Sequence, residues 1–163
     1  MELHKTTQLI LLQLVRLLEN FPEKHYRKSL EVIADASVAN NVCTILKNYR
    51  NLLHGMERGE IDYHRKPTDV NWELNKVYAI ESIRTIIHTL DKWPSTAEIK
   101  VVSDIGCMES HKLKTNSTYG RELLYCMENT IHHMVVMKTG VFIQWPEVEV
   151  PRNFGMISES YFN

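Results

Sequence analysis

Four stretches of this chain repeat apolar residues at spacings of three and four, each beside residues that start or stop a helix. A helix turns about 100° per residue, so such spacing gathers the apolar side chains into one stripe that has to be buried. In residues 3–21 the stripe is Leu3, Ile10, Leu11, Leu14, Leu17, Leu18 and Phe21, with Lys5, Gln8, Gln13, Arg16 and Glu19 mostly off it. Pro22 stops this helix, because proline has no N–H to donate and restricts the residue before it. A second helix is predicted over 37–54, capped by Ser37 and closed by Gly55, with Val38, Val42, Ile45, Leu46, Tyr49, Leu52 and Leu53 inside. A third starts at the cap Asp69 and reaches Trp93, burying Leu74, Val77, Ile80, Ile83, Ile87 and Leu90 before Pro94. The fourth covers 119–138 and is closed by Gly140.

Four amphipathic helices bury their stripes against one another, so the expected fold is an all-α four-helix bundle forming a single domain over 1–163. The pattern does not fix helix order in space, since the connectors are too long to demand tight antiparallel loops. Residues 22–37 contribute Tyr26 and Leu30 to packing without declaring an element. Residues 55–69 read as a polar connector ending in Lys66-Pro67-Thr68-Asp69. In 97–116, Ile99, Val101 and Ser103 alternate with Lys100 and Val102 ahead of a turn at Gly106, which predicts a short β-hairpin between the third and fourth helices. The tail carries Trp145, Pro146, Pro151, Phe154 and Gly155, an aromatic content that predicts wrapping over the bundle.

A formal net charge of -1 and a hydrophobic fraction of 44% count against disorder and against an extended basic surface, so no nucleic-acid partner is expected. The apolar run 9–18 is interrupted by Gln13 and Arg16, and no stretch reaches the roughly 20 apolar residues a bilayer requires. Cys43, Cys107 and Cys126 are odd in number and widely spaced, without the pattern of a zinc site or a disulfide framework. A soluble, cytoplasmic protein without a membrane partner is therefore expected.

The polar residues are more pointed. Asn41, Thr44 and Asn48 form a stripe on the second helix beside its core face, and Asn129 and His133 form another on the fourth. If the stripes face each other they line a polar notch in the bundle wall, where bundles build ligand and metal sites. Pattern alone favours half-exposed, satisfied polar groups slightly for Asn41, Thr44 and Asn48, and weighs a pocket role equally with an interhelical hydrogen bond for His133. Two histidines four apart would chelate a divalent ion, but the first position here is the neutral amide of Asn129. His132 points about 100° away from His133 and is read as structural or exposed. Arg121 and Glu122 read as a surface ion pair, with Arg121 alternatively an anion contact at the pocket mouth. His4, His25, His54, His64, His88 and His111 lack ligand spacing; Glu57, Glu60 and Asp62 are expected to face solvent; Cys43 and Cys126 are expected to pack as small apolar groups.

The segment Ala36-Ser37-Val38-Ala39-Asn40-Asn41-Val42, continued by Ile45-Leu46-Lys47-Asn48-Tyr49, resembles the second-helix signature of the DinB-like bundle family. Gly59-Glu60-Ile61-Asp62-Tyr63 is similar to the connector of one branch of that family. Thr118-Tyr119-Gly120-Arg121-Glu122-Leu123 and Asn129-Thr130-Ile131-His132-His133 resemble its last-helix signature, and Val150-Pro151-Arg152-Asn153-Phe154-Gly155 its closing segment. The resemblance spans about residues 26–156.

The resemblance implies an up-down-down-up bundle, a homodimer, and in many members a divalent metal held by one histidine of the second helix and a His-x-x-x-His pair of the last. Some branches use that metal to activate small thiols for transfer or isomerisation. Residue by residue, the second-helix ligand falls on Asn41 and the last-helix pair on Asn129 and His133, while two frequent additional histidines fall on Thr44 and Asn48. One imidazole and two amides offer a zinc-like or nickel-like ion little affinity. The expectation is thus a degenerate metal site with no tightly bound cofactor, in a small-ligand-binding or regulatory protein whose pocket is lined by Asn41, Thr44, Asn48, Asn129 and His133. The alternative is a divalent-metal-dependent thiol transferase with an atypical ligand set centred on His133. Metal-free acid–base catalysis by His133 ranks third, for want of a carboxylate to orient the ring.

Overall fold

The computed structural model describes residues 3–64, 69–104 and 112–157. Its helices are α1 (Leu3–Asn20), α2 (Glu23–Tyr26), α3 (Val38–Arg58), α4 (Val70–Leu74), α5 (Lys76–Thr89) and α6 (Tyr119–Gln144). Short 3-10 turns cover Glu31–Ile33 and Leu90–Lys92. Three strands, β1 (Glu60–Asp62), β2 (Glu98–Asp104) and β3 (Lys112–Thr118), form one mixed sheet in the order β1-β2-β3.

The all-α expectation is therefore corrected: the chain is mostly helical but adds a three-stranded sheet, and it is not a plain four-helix bundle. Two features of the sequence account for the difference. The alternation at 98–104 extends into a full antiparallel pairing of β2 with β3, from Glu98 opposite Thr118 to Asp104 opposite Lys112. The supposed polar connector contributes Ile61, fully buried, and β1 pairs parallel to β2 with Ile61 opposite Val101. The turn expected at Gly106, the segment Lys66-Pro67-Thr68, Cys107 and His111 lie outside the described residues.

The four long helices surround one core. α1 packs on α5 and α6, and α3 packs on the same two from the other side. The predicted stripes are largely the buried ones: Ile10, Leu11, Leu14 and Leu18 from α1, Val42, Ile45, Leu46 and Tyr49 from α3, Ile80 and Ile83 from α5, and Leu123, Met134 and Met137 from α6. Val77 and Leu74, assigned inward by the pattern, are exposed. The reason is a break at Asn75, whose extended backbone ends α4 and whose side chain accepts from the Tyr78 N–H to start α5 afresh. Restarting the helix rotates the face of the first turn relative to a continuous helix from Asp69.

Both predicted glycine stops also move. α3 runs through Gly55 and ends at Gly59, which takes the left-handed conformation at φ 83°. Gly55 is instead where β1 crosses the helix: a Cβ there would lie 2.4 Å from Ile61 Cγ1 and 2.9 Å from Ile61 Cα. Gly140 is likewise helical, covered by Leu30, and α6 continues to Gln144. The start of α3 is as read, with a capping box in which Ser37 Oγ accepts from the Asn40 N–H at 3.0 Å and Asn40 Oδ1 accepts from the Ser37 N–H at 2.9 Å.

The tail crosses the bundle. Trp145 and Phe154 are buried, and Gln13 of α1, expected on the polar side, is buried beneath the tail. Its side chain accepts from the Gly155 N–H at 3.0 Å and donates to the Met156 carbonyl at 3.1 Å. Among the described residues, no helix is long and apolar enough to cross a membrane.

Candidate functional site

The two polar stripes meet. Asn41 lies opposite His133, and Asn48 lies opposite Asn129, so α3 and α6 run antiparallel along a line of interhelical hydrogen bonds. Asn41 Nδ2 donates to the Ser37 carbonyl at 2.8 Å, which leaves its Oδ1 as the acceptor facing His133 Nδ1 at 2.8 Å. The imidazole thus carries its proton on Nδ1 and presents the Nε2 lone pair elsewhere. Burial pulls the His133 pKa below its ordinary value, and the neighbouring His132 adds to the effect.

Asn48 Nδ2 donates to Asn129 Oδ1 at 2.6 Å. That pairing uses one donor and one acceptor, leaving Asn48 Oδ1 and Asn129 Nδ2 without a hydrogen-bond partner among the described residues. Both side chains are half-buried, as is His133, whereas Asn41 is buried. Thr44 does not join them: it is exposed, and its hydroxyl donates back to the Asn40 carbonyl at 3.1 Å. His132 is exposed and touches only the edge of the His133 ring, at 5.3 Å between centroids.

The seam continues toward the N-terminus of α6. Glu122 is not at the surface: it is 2% exposed. Its carboxylate accepts from Tyr63 Oη at 2.8 Å, Ser117 Oγ at 2.6 Å and Arg121 Nη1 at 3.1 Å. It stands one turn before Cys126 and two before Asn129 on the same face of α6, a spacing present in the sequence. The missing signal was its partners, because Tyr63 and Ser117 come from the connector after β1 and from β3. Burial raises the Tyr63 hydroxyl pKa far above its ordinary value, with Cys126 and Glu122 adding to it. Cys126 is fully buried, its thiol pushed up to about 12 by burial, and its Sγ lies 3.9 Å from Tyr63 Oη. Cys43 is similarly pushed up to about 11 by burial. A cleft of about 360 Å³ opens beside Glu122, lined by Tyr63, Ser117, Arg121 and Tyr125 among others.

No family model matches the chain, and no curated protein or solved structure matches it.

The donor set does not fit the divalent ion that the resembled family carries. Asn41 Oδ1 is taken up by His133 and Asn129 Oδ1 by Asn48, so both amide oxygens at the corresponding positions are engaged within the protein. Glu122, two turns before Asn129 on α6, is held by three donors of its own. Among the described residues, no three His, Cys, Asp or Glu side chains are grouped to hold a metal ion. His133 alone keeps ligand chemistry, and one imidazole nitrogen is a weak site.

Proposed function

We propose that this chain is a DinB-like protein with a degenerate metal site, a non-enzymatic binder of small ligands. The observation that carries the reading is the pair of cross-links Asn41–His133 and Asn48–Asn129, which occupy the positions where the resembled family places its ligands. A seam closed by amide hydrogen bonds offers neither a Lewis acid nor an activated thiolate. It does offer Asn129 Nδ2 as a donor, with Asn48 Oδ1 and His133 Nε2 as acceptors. That combination suits a neutral polar molecule with both a donor and an acceptor, such as a carboxamide. The homodimer implied by the resemblance belongs to the same proposal, and sizing of the pure protein tests it.

NMR titration of the side-chain amides with acetamide, urea and nicotinamide tests the ligand reading. Saturable shifts centred on Asn48 and Asn129 support it. Turnover of a small thiol with an electrophile, lost on chelation and in His133→Ala, contradicts it and favours the metal-dependent transferase instead.

A further inference from the structure

The stripe that begins with Asn41, Thr44 and Asn48 does not end there. Asn51, Gly55 and Arg58 extend it at spacings of three and four into a separate open cleft of about 740 Å³ at the C-terminal half of α3. The same cleft is lined by Arg50 and His54, which with Arg58 repeat every four residues along one face of the helix, and by Lys112 at the start of β3. Cationic groups therefore approach it from a helix and from a strand.

Two carboxylates share the cleft, Glu60 and Asp62. Glu60 Oε2 is bound by Lys114 Nζ at 2.6 Å, and Asp62 Oδ1 accepts the His64 N–H at 2.9 Å. Arg58 and Lys112 form no ion pair among the described residues. Arg50 lines the cleft with its guanidinium over the Trp72 ring, 5.3 Å from its centroid, near enough to the Asp69 carboxylate to lower its pKa. Asn51 lies in the cleft wall, 6% exposed, with its Nδ2 sealed from solvent and without a hydrogen-bond partner.

We propose that this cleft binds a phosphate-bearing small molecule, whose oxygens take up the Arg50, Arg58 and Lys112 cations that line it. Donors arranged around a cavity from two elements suit a tetrahedral dianion better than a planar carboxylate. The volume exceeds that of a bare phosphate, leaving room for an attached group. The proposal is independent of the seam, because none of Asn41, Asn129 and His133 lines this cleft.

Isothermal titration of the full chain with inorganic phosphate, ribose 5-phosphate and acetate tests it. Saturable binding of either phosphate probe, weakened by about tenfold or more in Arg58→Gln/Lys112→Gln, is the expected result. Both positions are exposed or at a strand end, so the variant is expected to keep its melting temperature. Tighter binding of ribose 5-phosphate than of inorganic phosphate identifies an ester as the ligand, and equal binding identifies the free anion. Absence of saturable binding by both phosphate probes, acetate binding as tight as theirs, or variants that bind like the unaltered chain would overturn the proposal.

Discussion

Glu122 and His133 sit on one face of α6, the first buried and the second half-buried, and each is satisfied by different partners. Glu122, almost fully buried, gathers Tyr63, Ser117 and Arg121 around its carboxylate. Removing the acceptor strands two hydroxyls, so Glu122→Leu is expected to destabilise the fold by about 2–4 kcal/mol in urea titrations, while Tyr63→Phe costs about 1 kcal/mol. A Glu122→Leu variant as stable as the parent would show that this cluster does not hold β3 to α6. His133 stays neutral, because burial lowers its pKa below the ordinary 6.5, and His25 is lowered by burial with Lys24 and Lys28 adding to it. The unfolded chain then takes up protons before the folded one as pH falls, so these histidines stabilise the fold above about 6.5 and lose that contribution below it. The urea midpoint is expected to fall on acidification from neutrality, and to fall less steeply in His133→Asn. An identical slope in that variant would contradict the assignment.

At the level of elements, Gly55 is where the helical and strand parts of the chain are joined. β1 crosses α3 so closely that a methyl group at this position meets Ile61 backbone at 2.9 Å. Gly55→Ala is therefore expected to cost about 1–3 kcal/mol despite alanine's better helix propensity, measured by thermal or urea unfolding. A neutral or stabilising effect would mean that β1 is not seated on α3. The same glycine shows why the sequence was only partly legible. A glycine after an apolar stripe reads as a helix stop, and nothing local distinguishes it from one required by a crossing strand. Asn75 hid a helix restart inside one long periodic stretch for a similar reason, since its capping bond depends on backbone geometry rather than on the apolar period. The stripes of α1, α3 and α6 were legible because burial on one helix face imposes the period directly. The Asn41–His133 and Asn48–Asn129 pairs were legible as two stripes, though their register needed the packing of α3 on α6. Glu122 was not, because Tyr63 reaches it from a connector far away in the chain, and Ser117, though only five residues before it, is placed by strand β3.

Across the whole molecule, four long helices share one core while the sheet β1-β2-β3 adjoins α3 and α6. That arrangement puts two chemically different regions along α3. Its N-terminal half carries neutral amides paired across to α6, and its C-terminal half carries the cations around Asn51. We propose that the first region is a hydrogen-bonded seam and not a weakly occupied metal centre. Zinc and nickel titrations of the pure chain, run beside Asn41→His/Asn129→His, test this most directly. The unaltered chain is expected to take up no stoichiometric metal, while the variant, with three imidazoles in the seam, gains one equivalent. One equivalent of tightly held zinc or nickel in the unaltered chain, released by His133→Ala, would contradict the account.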